Sequence, residues 1–387
     1  MASKPMTLTM AGVARRLGRI APRSYRRGLA LATACALVAG WSATAIADDP
    51  VSSNVRFNRE IIRILQRRCL PCHAPGGIGV PLTTYRDVRD WGRAIREEVV
   101  EQRMPPVSAP PGSGLFQDPL GLTARETTTL LAWLDGGMPR GDERDLPASV
   151  DPFAEDASPA PVDLRLDLPA QQVPAFEPVV IRRVTIDPHF TRNRLVTRVD
   201  VRPGVRGVLR GAFIYQGREE ETWVGAWLPW QHTLVAPAGR AFRLAPGVPL
   251  TVVLYYRGGD EPAVDRSAVE LHFADAGREP VENLTLTTDG GVGRQTLRSP
   301  MTIWAAHTRL PSSTQSLEVR AATPDGAVTV LLWIPVARPE WPSAFVLREP
   351  VTLPAGTVLT VSTRGGGLPR EADRVVLSAW SASRRSP

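Results

Sequence analysis

Two cysteines three positions apart with a histidine directly after the second, Cys69-Leu-Pro-Cys72-His73, constrain this chain more than any other feature. C-x-x-C-H is the attachment motif of c-type haem. Each thiol can form a thioether to one edge of a porphyrin, and the histidine is then held under the iron as an axial ligand. Cysteine pairs of this spacing also serve zinc knuckles, redox dithiols and disulfides. A zinc site asks for a second ligand pair, yet no cysteine follows Cys72 and the next histidine is His189. A redox dithiol asks for a strand-to-helix setting in a βαβ pattern, which the flanks do not offer. The spacing therefore predicts one covalent haem on Cys69 and Cys72, with His73 as an axial iron ligand.

The N-terminus indicates where such a group would be attached. Residues 1–47 hold seven basic residues and no acid, then an apolar run from Leu29 to Trp41, then Ala45-Ile46-Ala47 before Asp48. A positive stretch, a short apolar stretch and a small-x-small site in that order form an export signal. The 13 residues of the run fall short of the roughly 20 that a spanning helix needs. No retained transmembrane anchor is expected, and the mature chain is placed in the periplasm or outside the cell by the general secretory route. Cys35 lies inside the apolar run and leaves with it. Only Cys69 and Cys72 then remain, so no disulfide supports the fold in an oxidising compartment.

Loss of residues 1–47 also removes the apparent basicity. The whole chain has 46 basic and 39 acidic residues, and residues 48–387 balance at 39 of each. Nucleic-acid binding loses its electrostatic support. Length and pattern divide the rest. Residues 48–145 read as helices with irregular loops around the haem motif, and 146–161 as a linker of charges, prolines and alanines without periodicity. Residues 162–278 and 279–387 alternate apolar and polar positions between Pro and Gly turns, as two β-sandwiches would. Val328, Val330, Leu332 and Ile334 illustrate the alternation.

Within 48–145, Phe57, Ile61, Ile64 and Leu65 form one stripe of a helix over 58–68 that ends at the motif. A second helix is predicted over 85–101 and a third over 123–134, the last opened by a Thr123/Glu126 capping box and closed by Gly136-Gly137. Three helices around one haem imply a small all-α, class-I-like cytochrome c. Met104 and Met138 are its candidate sixth ligands. Met104 is preferred, because Pro105 and Pro106 make its loop a rigid presenter of a thioether. Either methionine could instead be filling a gap in the core.

The whole segment from Val55 to Asp142, including FNREIIRILQRRCLPCHAPGG, EEVVEQRMPP and LTARETTTLLAWLDGGMPRGD, resembles the cytochrome c domain that precedes copper type II ascorbate-dependent monooxygenase-like domains in some bacterial proteins. The segments 199–215, 264–275, 323–335 and 353–361 are similar to landmarks of the paired β-sandwiches that follow it. The resemblance implies Met104 as distal iron ligand. It also implies two antiparallel, jelly-roll-like β-sandwich domains akin to the peptidylglycine and dopamine hydroxylases, which hold two coppers on histidines and a methionine.

The copper positions of that pattern are mostly lost. Its His-His pair falls on Arg210-Gly211, a further histidine on Tyr255, and its His-x-His on Ala305-Ala306-His307; Ser362 to Gly367, where the methionine belongs, has none. Residues 151–387 contain four histidines, one methionine and no cysteine. His272 alternates with Leu271 and Phe273 and is expected on the wet face of a strand; His189 and His232 follow turns, and His307 reads as a leftover polar group. One imidazole would hold copper weakly, so copper is not expected. Trp223, Trp227, Trp230 and Tyr255 read as core more readily than as a groove. The chain is expected to be an exported electron-transfer cytochrome, its C-terminal half a docking or scaffold module for redox partner proteins. A haem-fed copper monooxygenase with a remodelled site, and a haem sensor or peroxidase, are the alternatives.

Overall fold

A computed structural model describes residues 54–106, 116–117, 121–148, 153, 161–220, 222–231, 233–275, 277–289, 291–310, 313–365 and 372–382. The expected export signal, most of the expected linker and His232 lie outside them.

Helix formation follows local signals. A π-helical turn, Phe57–Ile61, runs into the α-helix Ile62–Arg68, and a short helix, Leu70–His73, carries the motif. The single helix expected over 85–101 is two, Tyr85–Asp90 and Gly92–Val100, separated at Trp91. Thr84 caps the first through a box with Asp87. Ala124–Asp135 begins at the expected box: Thr123 Oγ1 accepts from Glu126 N at 3.2 Å, and Thr123 N donates to Glu126 Oε2 at 2.9 Å. Phe57, Ile61, Leu65, Leu130 and Trp133 are the buried centre of this segment.

Four sheets make up most of the remainder. Leu164–Asp167, Ala268–Phe273, Arg194–Arg202, Arg240–Leu244 and Glu279–Pro280 lie side by side in that order, with Thr233–Val235 also paired to Arg194–Arg202; Val180–Ile186, Leu250–Tyr256, Leu209–Gln216 and Thr222–Trp227 form the sheet that shares their core. Glu282–Thr287, Arg374–Ser381, Met301–Arg309 and Ala344–Leu353 share a second core with Val292–Thr296, Val358–Gly365, Thr314–Ala322 and Val328–Ile334. Trp223 and Trp227 are core, whereas Trp230 and Tyr255 are half-buried at its margin. Val328, expected inside, is 61% exposed, and its strand turns inward only from Leu331.

The fold class expected from sequence, an independent all-α module ahead of two sandwich domains, is corrected by this structure. Among the described residues strands hold 44% and helices 16%, and Ser53–Pro387 is one compact unit. The α-helices are short, four to twelve residues long, and the small cluster they bury is supplemented by loops that lean on the sheets. Phe116 leaves the helical cluster to pack on Phe345 at 5.4 Å, joined by an isolated bridge to Leu347 and by the Gln117 N–H donating to Val346 O at 2.7 Å. Arg338 donates to Gln102 O at 2.7 Å. No described helix is long and apolar enough to cross a membrane.

Candidate functional site

Cys69, Cys72, His73 and Met104 line one cavity of about 270 Å³. The first three arrive on one helical turn, where His73 N and Cys72 N both donate to Cys69 O at 2.9 and 3.0 Å. The loop after it folds back on the histidine: Gly79 N donates to Cys72 O at 2.9 Å and Leu82 N to His73 O at 2.8 Å. The imidazole Nδ1 lies 2.8 Å from Val80 O. A carbonyl can only accept, so Nδ1 carries the proton and Nε2 keeps its lone pair. Gly79 is required here, since a Cβ on it would stand 2.5 Å from His73 Cε1. Burial pulls the His73 pKa down, which favours the neutral, ligating form.

Cys72 is buried, Cys69 half-buried, and both are free thiols. Loss of hydration, reinforced at Cys69 by the Glu126 carboxylate, pushes both thiols up to about 12. Redox dithiols need the opposite, a thiolate stabilised near neutral pH.

Met104 is half-buried on the loop after Gly92–Val100. That helix ends by wrapping Arg103 N and Met104 N onto Glu98 O, at 2.8 and 3.1 Å, with Gln102 left-handed at φ 54°. The Arg103 guanidinium holds Glu97 and Glu98, at 3.0 Å each. Met138 lies elsewhere, in the helical core: its sulfur fills the space a Cβ on Gly92 would need, 2.6 Å away.

The remaining walls are chiefly apolar, with Leu65, Ile95, Val99 and Leu130 prominent. Arg257 and Trp341, from the sheet-rich half, complete them. Sequence reasoning missed both, as well as the Gly79 and Val80 support of His73. Two thiols on one turn, an imidazole with a free Nε2 and a thioether share an apolar space, the donor set an iron porphyrin takes. The residues present fit haem.

The positions where the resembling family holds copper are occupied differently. Arg210 is 6% exposed, its guanidinium 4.5 Å over the Trp341 ring and its Nη1 3.4 Å from Glu340 O; burial and the nearby Arg257 bring its pKa down to about 10. His307 is fully enclosed, stacked on Phe213 at 4.1 Å, with Tyr215 Oη 2.5 Å from Nε2 and Ser343 O 3.3 Å from Nδ1. Burial pushes His307 down to about 4 and Tyr215 far up. Far from being a leftover polar group, His307 is satisfied at both nitrogens. His272 is also not on a wet face: it is 5% exposed, with Nε2 3.0 Å from Asp200 Oδ2 and Nδ1 2.8 Å from Pro161 O. Its strand is interior to the sheet, and the chain entering at Pro161 covers the face that alternation left for water. His189 is exposed. Among the described residues no three or more His, Cys, Asp or Glu side chains gather to hold a metal ion.

No protein-family model matches the chain, and no curated protein does. Among solved structures it is similar to the major capsid protein P2 from bacteriophage PM2, at 11% identity over 57% of this chain and 99% of that one, with a TM-score of 0.22. It is also similar to A223, a turret protein in Sulfolobus turreted icosahedral virus (10% identity, 56% and 97% covered, TM-score 0.16), and to PBSX exported protein XepA (11% identity, 57% and 89% covered, TM-score 0.16). Likenesses this low carry no argument.

Proposed function

We propose that this chain is an exported c-type cytochrome carrying one covalent haem for single-electron transfer, working in the periplasm or outside the cell with redox partner proteins. The observation that carries the reading is that Cys69, Cys72, His73 and Met104 line a single apolar cavity. Haem bound there supplies an iron that cycles between ferrous and ferric states. Cys69 and Cys72 would hold the group through their sulfurs, His73, its tautomer set by Val80, would offer Nε2 to the iron, and Met104 would offer its thioether. Leu65, Ile95, Val99 and Leu130 exclude water, and a dry surrounding of this kind is one of the protein's levers on a haem potential. The resemblance to cytochromes fused with copper monooxygenase-like domains supports the same reading. The sheet-rich half then serves as a docking or scaffold body that binds no stoichiometric copper, its lost copper positions being Arg210, Gly211 and Tyr255.

Expression in a host competent in cytochrome maturation tests the proposal. Haem staining after denaturing electrophoresis should show a coloured band at the mature mass, abolished by Cys69→Ala/Cys72→Ala. A colourless wild-type band overturns it. Copper retained at one or two equivalents after loading and desalting the whole protein, and lost in His307→Ala, overturns the scaffold assignment.

A further inference from the structure

Besides His73, the charged residues on the wall of the cysteine cavity are Arg68, Glu98 and Arg257. Two of them are matched on the spot. Arg68 Nε lies 3.2 Å from Glu126 Oε2, and Glu98 Oε2 lies 3.0 Å from Arg103 Nε. Arg257 differs: among the described residues no carboxylate forms an ion pair with it. It is also exposed, so its guanidinium can be reached by whatever fills the space.

The backbone fixes Arg257 in this place. It follows the strand Leu250–Tyr256, and its N–H donates to Val208 O at 2.8 Å, while Gly258 N donates to Glu177 O at 2.7 Å. The turn that supplies Val208 rests on the loop after the cysteine motif. A Cβ on Gly207 would stand 3.5 Å from Gly77 O and 3.7 Å from Gly76 O, ordinary contact distances. Arg257 is thus held from the part of the sheet-rich half that abuts the loop leaving His73, and its charge is felt at both His73 and Arg210.

The apolar wall suits the body of a haem, but a haem also carries two propionate carboxylates on one edge, and a carboxylate leaving water asks for a cation or hydrogen bonds. The guanidinium fork matches a carboxylate with two parallel hydrogen bonds. A positive charge near the iron also disfavours the ferric state, which carries one positive charge more than the ferrous.

We propose that Arg257 receives a propionate carboxylate of the haem and that its positive charge raises the reduction potential of the iron. The inference rests on the haem reading and deepens it, since the sheet-rich half then helps to set the potential of a group attached to the helical segment.

Potentiometric titration of the whole haem-loaded protein at low ionic strength, where exposed charges act furthest, tests it together with resonance Raman spectroscopy. Arg257→Gln should lower the midpoint by about 30 mV, a threefold change in the one-electron constant and the scale of an exposed ion pair. Arg257→Glu should lower it further. Arg257→Lys, which keeps the charge without the fork, should retain most of the wild-type value. The propionate bending band should move in Arg257→Gln, and the near-infrared thioether-to-iron band should persist in all three variants. Arg243→Gln removes an exposed arginine from the strand Arg240–Leu244, off the cavity wall, and should change neither midpoint nor spectrum. An unchanged midpoint in both Arg257→Gln and Arg257→Glu, or an equal fall in Arg243→Gln, overturns the role of Arg257 while the haem reading stands. A lower midpoint with an unmoved propionate band overturns the carboxylate contact. Loss of the near-infrared band in Arg257→Gln would assign the effect to the axial ligands and overturn the inference. A wild-type chain that takes up no haem overturns the haem reading, and the role of Arg257 with it.

Discussion

His73 Nδ1 and the carbonyl oxygen of Val80 stand 2.8 Å apart, and that bond orients the ring through the residue next to Gly79. A methyl group at Gly79 would press on Cε1 and Nδ1 at 2.5 and 2.6 Å. Gly79→Ala should therefore destabilise the chain by about 1–3 kcal/mol, the usual cost of overpacking. Urea unfolding of the Cys69→Ala/Cys72→Ala background reads this apart from any cofactor. An unchanged midpoint would show that the loop yields freely and does not position the imidazole.

Met104 and Met138 make opposite predictions. Met104→Ala should abolish the near-infrared thioether-to-iron band of the ferric protein while changing stability little. Met138→Ala should leave the band and cost about 1–3 kcal/mol, because its sulfur packs against Gly92 in the helical core. A band that disappears with Met138 instead would reassign the ligand.

His307 makes stability depend on pH. Its pKa is about 4 in the folded chain against 6.5 for the free side chain, so the unfolded state binds the extra proton between those values. Its stabilising contribution is complete above pH 6.5 and is lost as pH falls toward 4, by an amount on the order of 3 kcal/mol. Urea midpoints from pH 7.5 to 4.5 should fall in the wild type and fall less in His307→Gln. Parallel curves would show that His307 does not titrate with folding.

Phe116 ties the helical segment to the second sheet pair. Phe116→Ala should cost about 3 kcal/mol, the low end for a buried phenylalanine, measured by thermal or urea unfolding. The fragment 48–145, expressed alone, should lack a cooperative melt by circular dichroism. A sharp melt from that fragment would restore an independent helical domain.

Local features were legible from sequence and distant ones were not. The Thr123/Glu126 box and the Phe57–Leu65 stripe announce themselves because partners three or four residues apart must meet on a helix. The Thr84/Asp87 box carries the same logic with a shorter acid. The break at Trp91 carries a signal in Gly92, directly after it, a poor helix former that the apolar pattern over 85–101 overrode. Alternation located the His272 strand but misjudged its face, since the cover comes from Pro161, 111 residues away. Among the cavity residues, the motif and Met104 could be read because chemistry fixes their type. Arg257 and Trp341 could not, because their role exists only once the sheets are in place. The same holds for Arg338, whose partner Gln102 is 236 positions earlier.

The Phe116–Leu347 bridge also fixes an order of events. Gln117 and Leu347, joined by a hydrogen bond, are 230 residues apart in the chain, so the loop between them closes only after the intervening strands exist; contacts of such range form late and slowly. Trp341 reaches the cysteine cavity along the same late-arriving stretch. If local turns form before contacts of that range, Cys69 and Cys72 are easier to reach before Trp341 is in place than after it.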